Sequence, residues 1–359
     1  MSLEKEKIFD ADRIFAVIFG GKGHEREISC KTAGNIIKTA RRIGYNVLPI
    51  GINRSGDFCI YLGDDEKITN GECFLDREKL LPTFPIKLGN KSGFFVEGAI
   101  VSVVAVLIAL HGDYGEDGKV QGLLDCAGIL YTGADTVSSA LAYDKAAAKA
   151  LVEKLGIPTA PWVLITDKDV AVARKRAERV GYPMFIKPSG LGSSVGASCV
   201  EDSTRFDKAY REAYSLGNGR VLAEKYVDKR LELECAYLCA SGFCAVTPPG
   251  AISTVGVLYD YAAKYEDKTA TVRAVADVGD EIVDAARCYT EKICSAFSLR
   301  HLARVDYFLA DNGELLFNEI NTFPGMTDGS LYAAMLSEYG INFEGVVSAL
   351  IEAPLGEVL

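Results

Sequence analysis

Twelve consecutive residues from Ala99 to Leu110 include only one polar side chain, Ser102. The run is too short to cross a bilayer, which takes ~20 apolar residues. A segment apolar on both faces suits instead the interior of a parallel sheet, with helices covering each side. Its surroundings agree. Strand patterns at Ile14 to Phe19, Val47 to Ile52 and Val101 to Leu110 alternate with helical patterns at Glu27 to Ile43 and Val120 to Ala127. Gly44 and Gly128 stand where left-handed C-caps belong. This alternation predicts a parallel, helix-covered α/β unit up to about Gly133.

A second unit follows. The pattern predicts a helix from Asp144 to Leu155 closed by Gly156 and Pro158, a strand at Trp162 to Ile165, and a helix opened by Thr166 and closed by Gly181. A strand at Met184 to Ile186 then runs into Lys187-Pro188-Ser189-Gly190-Leu191-Gly192-Ser193-Ser194-Val195-Gly196. The last third is expected to hold strands near Val221 to Glu224 and Glu232 to Leu238, a long loop around Pro248 to Asp267, a helix, a hairpin and C-terminal helices. At 359 residues the chain is long enough for two or three domains. The expected units span residues 1–135, 136–222 and 223–359.

Composition excludes several functions. A formal net charge of -10 argues against a surface that follows a nucleic-acid backbone. The first residues lack the basic and apolar regions of a secretory signal, which predicts a cytoplasmic protein. The ten cysteines are scattered without paired spacing and read as reduced thiols. Cys235, Cys239 and Cys244 contain no Cys-x-x-Cys pair, and the chain has three histidines, a poor basis for a structural zinc.

The segment from Arg304 to Asn321 carries the sharpest chemical signal, because Asn312-Gly313 between two apolar runs predicts a hairpin. With those two residues as the turn, Asp311 faces Glu314, Asp306 faces Glu319 and Arg304 faces Asn321, all on one face. Opposed carboxylates repel, so the pairing calls for a cation or a shared proton. Asp306, Glu319 and Asn321 offer the oxygen donors that magnesium takes alongside substrate phosphates. The alternative is an exposed polar hairpin face.

Three loops complete the pattern. The glycine- and serine-rich segment after Lys187 lets backbone N–H groups approach an anion, although its lysine precedes the glycines and no Walker loop results; the alternative is a flexible surface hairpin. Phe19-Gly20-Gly21-Lys22-Gly23-His24-Glu25-Arg26 follows a strand and precedes a helix, but Arg26 occupies the third glycine position of a dinucleotide fingerprint. Glu25 is left at the carboxyl end of a parallel strand, where ligands bind. The segment from His111 to Gly118 borders the same crevice, with His111 contacting substrate or orienting a neighbour, or else simply capping a helix.

Taken together these motifs resemble the ATP-grasp superfamily, and most closely its D-alanine–D-alanine ligases. The resemblance is carried by Gly20-Gly21 with Glu25-Arg26-Glu27-Ile28-Ser29, His111-Gly112 with Gly115-Glu116-Asp117-Gly118 and Gln121-Gly122, Tyr131-Thr132-Gly133, and Asp144-Lys145. It continues in Lys187-Pro188-Ser189 with Gly192 to Gly196, Tyr259-Asp260-Tyr261 with Lys264-Tyr265, Arg304-Val305-Asp306, and Glu319-Ile320-Asn321-Thr322 with Pro324-Gly325-Met326-Thr327. It implies a three-domain architecture, an N-terminal parallel α/β domain followed by two α+β lobes that clasp ATP.

The resemblance also implies roles. ATP would contact Lys145, Lys187, Ser193, Ser194, Glu224, Tyr226, Val227, Glu232 and Lys264, and two magnesium or manganese ions would sit on Asp306, Glu319 and Asn321. Glu25 would bind the ammonium of a first D-alanine in a hydrogen-bonded set with Ser193 and Tyr265. His111, Gly325, Ser330 and Leu331 would border substrate, and Arg304 with the Gly325 N–H would stabilise a tetrahedral oxyanion. The implied reaction forms an acyl phosphate that a second amine attacks. The expected assembly is a homodimer without nucleic-acid or membrane partners. The choice of ribose contact between Glu232 and Glu234 stays open, since their spacing from Glu224 is one residue longer than usual. The rival readings are a ligase using D-serine or D-lactate second, and a nucleotide-binding module without turnover.

Overall fold

The computed structural model describes residues 13–240, 242–253, 271–327 and 329–357. Three sheets are arranged along the chain. The first takes β1 (Ile14–Gly20), β2 (Asn46–Ile52), β3 (Phe58–Tyr61), β4 (Leu80–Leu88), β5 (Lys91–Val96), β6 (Ala99–Val101) and β7 (Ala105–Ile108) in the order β6-β5-β4-β3-β2-β1-β7. Only β2, β1 and β7 run parallel; the rest pair antiparallel. The parallel α/β expectation therefore describes the end of the sheet where every residue of β1 is buried, and not its antiparallel extension.

The apolar run that suggested one strand forms two. Its single polar residue marks the break: Ser102 is exposed at the corner between β6, an edge strand paired with β5, and β7, which lies beside β1. The neighbouring helices span Arg26–Arg42 and Lys119–Ala127, the second closed by Gly128 in the left-handed conformation.

The second sheet, β10-β9-β11-β8, is built from β8 (Trp162–Ile165), β9 (Met184–Pro188), β10 (Ser198–Val200) and β11 (Val221–Lys225), all antiparallel. Helices Val170–Ala177 and Ser203–Leu216 bury Phe206 and Tyr210 against it. The first of these starts three residues later than the expected Thr166 boundary, because Asp169 caps it by accepting from the Ala171 N–H at 2.8 Å. A helix over Thr136–Tyr143, capped by Asp135, was not anticipated.

The third sheet comprises β12 (Lys229–Ala240), β13 (Phe243–Val246), β14 (Gly250–Ser253), β15 (Thr271–Arg273), β16 (His301–Ala310) and β17 (Leu315–Asn321). Cys239 and Cys244 face each other across β12 and β13 and form a disulfide, which corrects the expectation that all ten cysteines are reduced thiols; the other eight are free. Packing crosses chain order here. Helices Leu331–Glu338 and Phe343–Glu352 insert Leu336, Val347, Leu350 and Ile351 into the core of the first sheet. Among the described residues no helix is long and apolar enough to cross a membrane.

Candidate active site

Where β1 ends, Gly20 adopts a φ of +94°, and a Cβ there would lie 2.4 Å from the Ile52 carbonyl oxygen. Only glycine allows the chain to turn so close to β2. Ser29 ties the turn down: its hydroxyl accepts from the Gly20 N–H at 2.8 Å and donates to the Ala109 carbonyl at 2.6 Å. Glu25, just before helix Arg26–Arg42, is thereby aimed out of the first sheet. Its carboxylate accepts a hydrogen bond from the Ser193 hydroxyl, on the glycine-rich loop of the second sheet. Gly112 and Gly192 flank that carboxylate, and a Cβ on either would approach Glu25 Oε2, to 2.1 and 2.9 Å.

Beside this contact lies a cavity of about 810 Å³, the size of a small-molecule site. Lys145, Lys187, Ser193, Ser194, Glu224, Tyr226, Val227, Glu232 and Glu319 are among its lining residues. Lys145 opens helix Lys145–Lys154, which Asp144 caps; its Nζ donates to the Leu191 carbonyl at 2.7 Å and lies 3.3 Å from Glu319. Tyr226 stacks on Phe185 with centroids 5.7 Å apart, giving the cavity a flat aromatic wall.

Glu224, though on the lining, is only 2 % exposed and engages two lysines, Lys149 at 2.5 Å and Lys187 at 2.6 Å. Burial alone would raise its pKa, but the two cations override it and hold the carboxyl at about 2. The two acidic residues of β12 diverge: Glu232 lines the cavity and pairs with Lys229, whereas Glu234 is buried and lies 3.1 Å from Arg304.

The hairpin brings Asp306 opposite Glu319 and Arg304 opposite Asn321. The route differs from the expected two-residue turn. Ala310 bonds to Glu314 across a three-residue loop with Gly313 in the left-handed conformation, and a bulge between Phe317 and Glu319 restores the offset. The bulge also turns both Asn318 and Glu319 to the cavity. Arg304 donates twice to Asp306, Nε to Oδ1 and Nη2 to Oδ2, each at 2.7 Å, and the Asn321 amide donates to Asp306 Oδ2 at 3.0 Å. Burial works against the guanidinium charge, but Asp306 and Glu234 outweigh it and raise the Arg304 pKa well above its ordinary value. No cluster of three or more metal-ligating His, Cys, Asp or Glu side chains is present among the described residues.

His111 lies deeper, with Nε2 3.1 Å from the Thr32 hydroxyl and Nδ1 2.8 Å from the Phe323 carbonyl oxygen. Burial lowers its pKa. Gly325 follows this segment; Ser330 caps helix Leu331–Glu338 through Ala333, and Leu331 packs toward Gly250, where a Cβ would lie 2.9 Å from its Cδ1. Lys264 and Tyr265, with Tyr259-Asp260-Tyr261, lie outside the described residues. Phe185, Lys149 and Glu116 carry no individual assignment in the sequence. Lys149, four positions after Lys145, was open to detection by helical spacing. Glu116 stands in the sequence only as part of a motif, and no local pattern points to its distant partner: it accepts from the N–H groups of Gly112 at 3.0 Å and Phe323 at 3.2 Å. Burial, reinforced by Glu25, pushes its pKa up to about 8.

The family model described as "D-ala D-ala ligase N-terminus" matches residues 14–134, and "D-ala D-ala ligase C-terminus" matches residues 151–352. A D-alanine–D-alanine ligase of Acetivibrio thermocellus is 36 % identical, covering 94 % of both chains. One from Pseudarthrobacter chlorophenolicus is 34 % identical over 95 % of this chain and 93 % of its own. Among solved structures, the VanG D-Ala:D-Ser ligase of Enterococcus faecalis superposes with a TM-score of 0.87 at 33 % identity, covering 96 % of this chain and all of that one. The D-alanine-D-alanine ligase of Coxiella burnetii gives 0.83 at 27 % identity, over 97 % and 95 % of the two chains. Matched over nearly its whole length in both sequence and fold, the chain belongs to the D-alanine–D-alanine ligase family of ATP-grasp enzymes.

Proposed function

We propose that this chain joins two D-alanine molecules at the expense of ATP, by way of D-alanyl phosphate, and so supplies a peptidoglycan precursor. The observation that carries this reading is the Glu25–Ser193 hydrogen bond, which joins the first sheet's ligand-binding edge to the glycine-rich loop beside a nucleotide-sized cavity. Adenine fits the wall made by Phe185 and Tyr226, with ribose near Glu232. The phosphates then extend toward Lys145, Lys187 and the Ser193-Ser194 backbone. Lys187 is already held in place by Glu224, so its charge costs little reorganisation when a phosphate arrives.

Glu25 receives the ammonium of the first D-alanine and so orients its carboxylate toward the terminal phosphate. Arg304, kept protonated beside Asp306 and Glu234, and the Gly325 N–H face the oxyanion formed when the second amine attacks. The donor set Asp306, Glu319 and Asn321 consists of hard oxygens and fits magnesium or manganese. Two such ions, when bound, supply charge neutralisation to the phosphates. Ser330 and Leu331 border the second amino acid; Tyr265 and Lys264, to which the resemblance gives roles beside Glu25 and at the transferred phosphate, lie outside the described residues. A homodimer in the cytoplasm, divided into units at residues 1–135, 136–222 and 223–359, extends the same reading to assembly.

The test is phosphate release by the full chain with ATP, magnesium and D-alanine, with the dipeptide identified by mass. Asp306→Ala is expected to lower the rate by about 100-fold or more, as loss of a metal ligand worth several kcal/mol requires. No release above that variant from the unaltered chain refutes the reading. The likeness to VanG makes D-serine the second reading for the second substrate, and parallel assays with D-serine and D-lactate decide it.

A further inference from the structure

We infer that Glu116 and His111 form a positioning pair that grips the Phe323 peptide by both of its polar groups and thereby sets the loop between Asn321 and Gly325. Glu116 Oε1 accepts from the Phe323 N–H at 3.2 Å, and His111 Nδ1 meets the Phe323 carbonyl at 2.8 Å. A carbonyl can only accept, so Nδ1 carries the proton. In the neutral ring Nε2 is then the acceptor, which fits the Thr32 hydroxyl 3.1 Å away. The other Glu116 oxygen accepts from the Gly112 N–H at 3.0 Å, anchoring the carboxyl group in its own loop.

The gripped residue is held in a third way. Its ring fills the space above Gly133, where a Cβ would lie 2.3 Å from Phe323 Cζ. Phe323 is 3 % exposed and stands beyond the end of β17, so neither sheet pairing nor open solvent serves its peptide groups. Two side chains from the first sheet's far loop take that role across more than 200 residues of sequence. What lifts the contact above simple hydrogen-bond satisfaction is its position. Phe323 lies two residues from Asn321 and two from Gly325, so a small shift of its peptide moves both groups against the nucleotide and the oxyanion.

The inference rests on the ligase reading, and its test separates the two. Glu116→Gln places an amide N–H₂ against one of two backbone donors, and His111→Ala removes the Nδ1 donor, whereas His111→Asn keeps a donor near the Nδ1 position. Steady-state kinetics with ATP and D-alanine are expected to show kcat reduced by roughly 10- to 100-fold in the first two variants, as a misplacement of about 1 Å produces. KM for ATP stays within about twofold, the double variant is no worse than the weaker single within about threefold, and His111→Asn recovers most of kcat. A raised KM at unchanged kcat, multiplicative losses in the double variant, or His111→Asn no better than His111→Ala overturns the pair. Thermal melts accompany each variant. If Glu116→Gln does not fold, Thr32→Val frees the imidazole from behind: a smaller kcat loss at constant KM supports the inference, and an unchanged kcat refutes it. An inactive unaltered chain refutes the ligase reading instead.

Discussion

Glu116, in the loop after β7, and Glu224, on β11, are almost equally closed to water, 9 % and 2 % exposed, yet their charges are driven in opposite directions. Burial raises the pKa of both. Around Glu224 two lysines at 2.5 and 2.6 Å reverse that effect and hold the carboxyl at about 2. Around Glu116 the neighbouring charge is another carboxylate, Glu25, and two backbone N–H groups offset only part of the load, leaving its pKa near 8. Depth in the protein thus decides how much a neighbour matters; the sign of the neighbour decides whether the group is ionised. The two sites divide the work accordingly. One gathers two lysines around a single carboxylate, and the other accepts from two backbone N–H groups.

Breaking the Glu224 cluster is expected to have the largest effect. Glu224→Gln leaves Lys149, which is fully buried, and Lys187 as like charges without their counter-ion, a loss on the order of 3–5 kcal/mol in unfolding free energy. Denaturant unfolding measures it. Lys149→Met should cost less, about 1–3 kcal/mol, because Glu224 keeps Lys187. That variant sharpens the comparison in another way, since a one-to-one pair is neutral where two lysines and one carboxylate carry a net positive charge. Its KM for ATP should rise by roughly tenfold, as loss of about 1.4 kcal/mol of binding implies. A protein of unchanged stability and unchanged KM would show that Lys149 is a spectator.

The pH dependence of stability separates the two glutamates by sign. The folded pKa of Glu224 is depressed, so its contribution is complete above its unfolded value near 4.5 and is lost as pH falls toward about 2. The folded pKa of Glu116 is raised, so its contribution is complete below about 4.5 and is lost as pH rises through about 8. Glu116→Gln should therefore flatten the decline of unfolding free energy between pH 4.5 and 8, by about 1–4 kcal/mol over the interval. The slope is the decisive quantity, because any fixed cost of the substituted amide shifts the whole curve and leaves its tilt alone. Equal slopes in the two proteins would place the Glu116 pKa near its ordinary value.

The same contrast governs how much could be read from sequence. Strand Trp162–Ile165 and the pairing of Asp306 with Glu319 and of Arg304 with Asn321 follow from local pattern and are found in the structure. The hairpin pairing emerges by a different path, since a three-residue loop and a bulge at Asn318 each shift the register by one and cancel. A bulge has no fixed residue signature, although Gly313 was open to reading as the left-handed position of a longer loop. Lys149 was likewise within reach, one helical turn from Lys145. The hold of Glu116 and His111 on Phe323 was not, because it joins two loops more than 200 residues apart and depends on how the last two helices dock on the first core. Local periodicity carries elements and faces; it carries no information on which distant loops meet.

The smallest expected effect probes the space next to Glu116, around its charged neighbour Glu25. Gly192 is not in the left-handed region, so its backbone tolerates a side chain, and what an added methyl would meet is the Glu25 carboxylate at 2.9 Å. A carboxylate end can swing away, whereas the polypeptide around it need not move. Gly192→Ala should therefore leave the melting temperature within a few degrees, a change below about 1 kcal/mol. It should raise KM for the first amino acid several-fold, since Glu25 can no longer hold both the Ser193 hydroxyl and an ammonium group in the same pose. Gly112→Ala is the internal control: its φ of +62° and a 2.1 Å approach to the same oxygen add backbone strain to the clash. If both variants lose stability equally, the gap at Gly192 serves the loop's own fold and not Glu25.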